Sequence, residues 1–371
     1  MKAGQMRICL LEPYFGGSHR RWAEGLRDHS RHEIEILELP ARHWKWRMHG
    51  AAVSFAEQLA DSGRAYDLVL ATDMMDVAAF AGLLAGRGTP CRIATYFHEN
   101  QLTYPLSERE RGRGDRNDLR YGFINYTSAL ASGLSLFNSD FHREAFLSAL
   151  PAMLGHFPDF RNEGTLERIE ARAHTLHLGM NLGDLDRYGN LEKRGKEKKG
   201  PLILWNHRWE YDKRPERFLE ILYALEARDH LFEVALLGAR GPKAARLLAE
   251  ARERLGEKIV TDSPAESFAD YAAWLWRSDI QLVTAIQDFF GGSVVEAAYC
   301  GCHPVLPRGL AYGDHVREDF LFYEGKTEAL ERLERLIISG AWRQPFEMGR
   351  KLARYDWRNC IGSYDTVLEG A

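Results

Sequence analysis

The chain has 371 residues, 45% of them hydrophobic and 27% charged, and a formal net charge of −4. That length accommodates two ordinary domains with separate cores, and the composition is that of a soluble globular protein. The negative balance argues against nonspecific coating of nucleic acid but leaves room for a local basic groove. No apolar run approaches the length of a membrane span, so no membrane partner is expected. The opening MKAGQMRICLLEP lacks the apolar core of a signal peptide, and Met6 is an alternative start just before the first strand. The five cysteines have no C-x-x-C spacing, which points to reduced thiols in a cytoplasmic protein.

From the N-terminus, apolar runs alternate with helical periodicity, the pattern of parallel sheets wrapped by helices. Strands are predicted at 7–13, 33–39, 66–73, 92–99, 135–139 and 174–180, with helices near 18–30, 48–61, 76–86, 118–133 and 140–150. The stretch NLEKRGKEKKGP, 190–201, is polar and Gly-rich and closes on Pro201, which makes it a linker. The rhythm then restarts, with strands at 201–208, 232–239, 258–264, 280–286 and 303–307. Helices are predicted at 214–228, 242–255, 266–277, 292–301 and 327–339, and a last helical segment is expected to pack back across the junction. The expected organisation is a first domain over 1–189, a linker at 190–200, a second domain over 201–345 and a C-terminal helix within 346–371. Ligands in doubly wound sheets bind beyond the carboxyl ends of the strands, so the chemistry is sought there.

Six stretches stand at such ends. LLEPYFGGSHRRW, 10–22, opens the backbone at Gly16 and Gly17 and places Ser18 and His19 where a helix starts; a plain turn with Ser18 as cap is the rival reading. ARHWKWRMHG, 41–50, interleaves Arg42, Lys45 and Arg47 with Trp44 and Trp46, a mixture suited to phosphates and stacked bases, or equally to covering the domain's flank. TYFHENQLTYP, 95–105, lines up His98, Glu99, Asn100 and Gln101 after a central strand, and FNSDFHREAF, 137–146, adds Asn138. In WNHRWEYDKRPERF, 205–218, Arg208 and Lys213 are two cations able to clamp a diphosphate, with surface ion pairing as the alternative. QDFFGGSVVEAAYCGCHPVLP, 287–307, puts Asp288 in a loop with Phe290, Gly291 and Gly292, then Ser293 and Glu296 in the first turns of a helix. Free amides of a helix start attract phosphate, and carboxylates accept hydroxyls from a sugar or ribose. The same Ser293 and Glu296 would serve an ordinary cap and first-turn acid.

Together these residues resemble a known family. The acid-x7-Glu element and the Arg/Lys pair are similar to the family 4 retaining glycosyltransferases of GT-B fold: α/β, with two Rossmann-like doubly wound domains facing across a cleft. GGSH, HWKWRM, FHENQLTYP, YGFINYTSAL, FNSDFHRE, WNHRWEYDKRPE, FFGGSVVEAAYCGCHPVLP and YDWR are closer to the tRNA-queuosine alpha-mannosyltransferase (glycosyltransferase-like domain-containing protein 1) family. Asp288 departs from the Glu more common in family 4.

The resemblance implies transfer of mannose from GDP-mannose to the cyclopentenediol of queuosine at the anticodon wobble position of a tRNA, with retention at the anomeric carbon. It makes Arg208, Lys213, Asp288, Glu296 and His98 the catalytic set, and Gly16, Gly17, Arg208, Lys213, Phe290, Gly291, Gly292, Ser293 and Glu296 the donor-binding residues. The acceptor-binding residues would be Ser18, His19, Arg42, Trp44, Lys45, Trp46, Arg47, Glu99, Asn100, Gln101 and Asn138. A queuosine-containing tRNA and a nucleotide sugar are the implied partners. No metal is implied, and nothing in the sequence points to a protein partner.

Overall fold

The first strand buries its six central residues, Ile8 to Pro13, and the chain folds from there into two parallel sheets. The computed structural model describes residues 4–105, 119–189, 198–241 and 244–371. The elements of the first unit are β1 (Arg7–Phe15), α1 (Gly17–His29), β2 (Glu33–Pro40), α2 (Trp44–Ser62), β3 (Leu68–Thr72), α3 (Val77–Gly86), β4 (Ile93–Phe97), α4 (Leu119–Ala131), β5 (Leu134–Phe137), α5 (Asp140–Gly155), α6 (Thr165–Glu170) and β6 (Ala173–Thr175). The second unit continues with β7 (Leu202–Trp205), α7 (Pro215–Glu226), β8 (Glu233–Leu236), α8 (Ala244–Leu255), β9 (Ile259–Thr261), α9 (Phe268–Arg277), β10 (Ile280–Leu282), α10 (Gly292–Tyr299), β11 (His303–Pro307), α11 (Tyr312–His315), β12 (Phe322–Tyr323) and α12 (Gly325–Ser339). The chain ends in α13 (Trp357–Glu369).

The strand orders are β2-β1-β3-β4-β5-β6 and β12-β11-β10-β7-β8-β9. In the first sheet the order reverses between β1 and β3, and in the second between β7 and β10. Those two points are where doubly wound sheets open a crevice beyond their carboxyl ends. The alternation of β1 explains why this sheet is covered on both faces. Ile8 and Leu10 pack with Trp22, Tyr96 and Trp357, while Cys9 and Leu11 pack with Phe55 and Phe80 of α2 and α3. In the second unit Ile203, Trp205, Phe218, Val234 and Leu282 join one core.

The chain divides into one unit of Met1–Met180 with Tyr355–Ala371 and another of Asn181–Arg354. Residues 181–189, expected in the first domain, belong to the second unit because Trp276 Nε1 donates to Leu185 O at 2.7 Å and Tyr299 OH donates to Asp186 at 2.9 Å. Of the expected linker 190–200, positions 190–197 lie outside the described residues. Within the segment 346–371, the turns up to Arg354 stay with the second unit and α13 joins the first. There Met180 N–H donates to Tyr355 O and Trp357 N–H to Met180 O, which stitches the end of the chain to the first unit. The helix α6, the one-turn α11 and the two-residue β12 are short elements that periodicity does not disclose.

Candidate active site

Both groups of polar side chains grow from the carboxyl ends of strands at the two switch points. In the second unit β7 ends at Trp205 and is followed by Asn206, His207 and Arg208. Close approach by β8 fixes the path of this stretch: a Cβ on Gly238 would lie 1.6 Å from His207 O. Arg208 is exposed, whereas Lys213, in the turn before α7, is only 8% exposed. Lys213 Nζ donates to Gln287 O at 2.7 Å and pairs with Asp288 at 3.2 Å and with Asp212 at 3.3 Å. Tyr312 OH donates to the other oxygen of Asp288 at 2.8 Å. Burial alone would raise the Asp288 carboxyl, but Lys213, then His207 and the Tyr312 hydroxyl, hold it below the usual aspartate range.

Gly291 caps α10 with φ +82° and supplies no side chain to its first turn. A Cβ there would stand 2.6 Å from the Tyr312 ring, so this position needs glycine on two counts. Phe290 is buried, its carbonyl bonded to His315 Nε2 and its ring 4.7 Å from the His315 ring. Ser293 Oγ stands 3.1 Å from His207 Nδ1. Burial first, then the charge of Lys213, lowers His207 to about 4, so the ring is neutral at pH 7. Glu296 accepts from Tyr271 OH at 2.7 Å; Tyr271 in turn accepts from Asn206 Nδ2, which also reaches Ser293 O. Gln281 Nε2 completes the network on Asn206 Oδ1 at 2.7 Å. Lys213 and Asp288 thus touch directly, and Ser293 and Glu296 are tied to the strand end that carries Arg208.

In the first unit Gly16 is the N-cap of α1 and Gly17 its first residue, so Ser18 lies inside the helix and does not cap it. Glu12, wholly buried in β1, has both oxygens 3.3 Å from His19 Nδ1. The His19 ring faces that of His98 at 4.2 Å between centroids. His98 follows β4; its N–H donates to Asp73 Oδ1 at 2.7 Å, and Trp22 and Tyr96 wall its ring at 4.7 and 4.9 Å. Burial, then the charge of His19, keeps His98 neutral, and its Nε2 is buried with no hydrogen-bond partner among the described residues. Burial and the nearby Glu99 raise the Asp73 carboxyl. One ligand-type atom from each of Glu12, His19 and His98 lies within 4.8 Å of the others. The Glu12–His19 contact ties two members of that group together.

The remaining expected acceptor residues divide into two kinds. Asn138 is buried, donating to His98 O at 2.9 Å and bonding His142 Nδ1 through Oδ1 at 2.8 Å, so it supports His98 from beneath. Asn100 is likewise buried, and its Oδ1 accepts from Leu102 N, Thr103 N and Thr103 Oγ1, which holds the turn. Both side-chain oxygens are engaged within the protein, while Asn100 Nδ2 is buried with no hydrogen-bond partner among the described residues. Gln101 Nε2 donates to Glu99 Oε1 at 2.8 Å.

The basic–aromatic stretch is helical from Trp44, four residues before the expected start, and Arg42 precedes it. Lys45 lies over Trp44 and Tyr121 at 5.4 and 5.8 Å, Trp46 is 64% exposed, and Arg47 folds back onto Pro40 O at 3.2 Å.

Sequence reasoning passes over Glu12, Asp73, His207, Tyr271 and Tyr312. Glu12 has a visible signal, an acid inside an apolar strand buried on both faces. The others become meaningful only once the strand order brings their loops together.

Residues 7–180 match the model of the tRNA-queuosine alpha-mannosyltransferase N-terminal family. The tRNA-queuosine alpha-mannosyltransferase of Drosophila melanogaster is 32% identical over 330 residues, covering 87% of this chain and 85% of the relative. Among solved structures, Anabaena HepE in complex with UDP has a TM-score of 0.69 at 13% identity, spanning 99% of this chain and 100% of that one. The sucrose-phosphate synthase of Thermosynechococcus elongatus also gives 0.69 at 13% identity, spanning 99% of each chain. At such low identity these likenesses establish the fold, the GT-B fold of two doubly wound α/β domains.

Proposed function

Because the chain belongs to the tRNA-queuosine alpha-mannosyltransferase family, we propose that it transfers mannose from GDP-mannose to the cyclopentenediol of queuosine in the tRNA anticodon, with retention of configuration. The protein is a glycosyltransferase. The observation that carries the donor side is the meeting, at the switch point of the second sheet, of the Lys213–Asp288 pair with the uncapped first turn of α10.

On this reading the second unit holds the nucleotide sugar as in family 4 enzymes. Arg208 and Lys213 neutralise the departing diphosphate, aided by the amides of Gly292 and Ser293 at the positive end of α10. Asp288 takes sugar hydroxyls, with Tyr312 fixing its orientation. Glu296, oriented by Tyr271, takes the ribose. Phe290 shapes the loop through its carbonyl bond to His315. In a same-face displacement the departing phosphate oxygen removes the acceptor hydroxyl's proton as the new glycosidic bond forms, so no protein nucleophile is required. Two cations and a helix start supply the positive charge that a metal ion would otherwise bring.

The first unit serves the acceptor. His98, neutral with a buried open Nε2, suits a hydroxyl of the reacting groups, and Asn138 and Asp73 hold it in place through its backbone. Arg42, Lys45 and Trp46 provide charge and an exposed ring for RNA. We read the reaction as cytoplasmic, a reading that a tRNA acceptor supports. No helix among the described residues is long and apolar enough to cross a membrane.

The test is incubation of purified protein with queuosine-containing tRNA and a panel of nucleotide sugars, followed by nucleoside mass. A hexose-sized gain with GDP-mannose is expected. A gain with a different donor would overturn the GDP-mannose assignment. No gain with any donor would favour another acceptor, a lipid or small molecule.

A further inference from the structure

A carboxyl group taken out of water needs a cation or several hydrogen bonds, or it keeps its proton. Three acids stand at the carboxyl edge of the first sheet, and they fare differently. Leu11 of β1 pairs with Ala71 of β3, and Thr72 with Tyr96 of β4, so Glu12, Asp73 and the turn with His98 and Glu99 leave the sheet side by side. Glu12 has its cation, since His19 Nδ1 lies 3.3 Å from both oxygens. Burial alone would lower His19, but Glu12 raises it to about 9, so the ring is charged at neutral pH. Asp73 has no such partner. It is 1% exposed, and the only bond to its carboxyl group among the described residues is the His98 N–H on Oδ1 at 2.7 Å. Burial, then the charge of Glu99, raises the Asp73 carboxyl above the usual aspartate range, against the pull of His19.

The two remaining acids are held in place. Asn125, wholly buried, donates from Nδ2 to Asp73 O at 3.2 Å and accepts the Gln101 N–H at 2.7 Å. Gln101 Nε2 in turn holds Glu99 Oε1 at 2.8 Å. Two further buried atoms of the same turn, His98 Nε2 and Asn100 Nδ2, have no hydrogen-bond partner among the described residues. A buried acid short of positive charge, beside unspent polar atoms, fits a ligand that brings a cation and hydroxyls together.

We propose that Asp73, with Glu99 beside it, binds a cationic group of the acceptor, a protonated secondary amine close to a vicinal diol, and so sets which acceptor the first unit takes. Naming that amine as queuosine's, which joins its cyclopentenediol to the base, rests on the glycosyl-transfer reading; the need of Asp73 for a cation does not. The titratable groups that face Asp73 are Glu12 from β1, His19 from α1, and His98 and Glu99 after β4. Asp73 without ligand holds its proton at neutral pH, and that proton leaves to solvent when the ammonium docks. Binding therefore tightens as pH rises, until the amine loses its own proton.

The experiment is calorimetric binding of queuosine nucleoside to the full chain across neutral pH, in buffers of different ionisation enthalpy, beside queuosine acetylated at the amine. Native protein is expected to bind the free amine about 10–100-fold tighter than the acetylated form, with release of a proton. Asp73→Asn keeps an oxygen for the His98 N–H, and is expected to lose both the preference and the proton release while donor KM stays native. A merely structural Asp73 would weaken both nucleosides alike, and a preference retained in Asp73→Asn overturns the proposal. Equal affinity of native protein for the two nucleosides, or no binding of either, also overturns it. Hexose transfer to tRNA, read by nucleoside mass, reports on the glycosyl-transfer reading independently. Binding lost with EDTA and restored by a divalent ion would assign the carboxyls to a metal and overturn the amine. Should Asp73→Asn not fold, Glu99→Gln is expected to reduce the preference, and an unchanged preference there overturns the proposal.

Discussion

Lys213 Nζ stands 3.2 Å from Asp288 Oδ1, with Tyr312 OH on the second oxygen of that carboxylate at 2.8 Å. The cation assigned to the donor's phosphate and the carboxylate assigned to its sugar are thus already paired in the free protein. Removing one partner leaves a largely buried charge alone, which costs about 3–5 kcal/mol. Lys213→Met is expected to lower kcat/KM by about 10²–10³-fold, the scale for losing one preorganised charge at a developing oxyanion. It should also lower the melting temperature. In the double variant with Asp288→Asn the melting temperature recovers in part while activity does not. A double-mutant cycle in both readouts checks this. The acid side has a definite sign: Asp288 ionises more easily folded than unfolded, so its stabilisation is complete above its ordinary value of 3.8 and is lost as pH falls below it. Asp288→Asn should flatten that part of the stability–pH curve.

Gly291→Ala tests the loop itself. The new Cβ meets the Tyr312 ring at 2.6 Å on a backbone with φ +82°. Either strain alone costs about 1–3 kcal/mol. Because Tyr312 must move, Asp288 loses its orienting hydroxyl, and the donor KM is expected to rise along with a drop in melting temperature. A calorimetric scan and donor titration of one preparation separate the two effects.

Much of this is legible in the residues, and the reasons differ from element to element. Runs such as RICLL and PLILW announce buried parallel strands because both faces are covered and no alternation is needed. The site loops are visible as glycines and charges following those runs. The start of α2 is not, since HWKWR carries no capping signal; its N-cap His43 adopts a left-handed backbone with no side-chain bond. Asn100 and Asn138 show the other limit. Their side chains look like ligand-binding groups in sequence, yet each is buried and bonded to the backbone around His98 or the turn after it. Only the fold reveals which amide faces inward.

The C-terminal helix gives a stability prediction confined to the first unit. Trp357 is 1% exposed, and glycines at 25 and 179 leave it room: a Cβ on either would come within 2.0 and 2.4 Å of the indole. Tyr364 on the same helix accepts from Trp22 Nε1 at 3.1 Å and donates to His177 O at 2.7 Å. Trp357→Ala is expected to cost about 3–5 kcal/mol, the range for deleting a large buried ring. Gly25→Ala should also destabilise, by clash with the same ring. Chemical denaturation monitored by hydrogen exchange should place the loss in β1, α1 and α13.

Salt dependence separates the members of the basic–aromatic stretch at the start of α2. Removing one cation that neutralises a phosphate reduces the slope of log Kd for tRNA against log salt by about 1. Arg47 already bonds Pro40 O, so Arg47→Ala is expected to change the slope less than Lys45→Ala, whose ammonium lies over Trp44 and Tyr121 on an exposed turn. Trp46, 64% exposed, carries no charge, so Trp46→Ala should weaken binding by about 1–3 kcal/mol at every salt concentration and leave the slope unchanged. Donor KM should stay at the native value in all three. Titration of each variant with queuosine-containing tRNA at several salt concentrations checks the set. Parallel lines for native protein and Lys45→Ala would remove this turn from the RNA-binding surface.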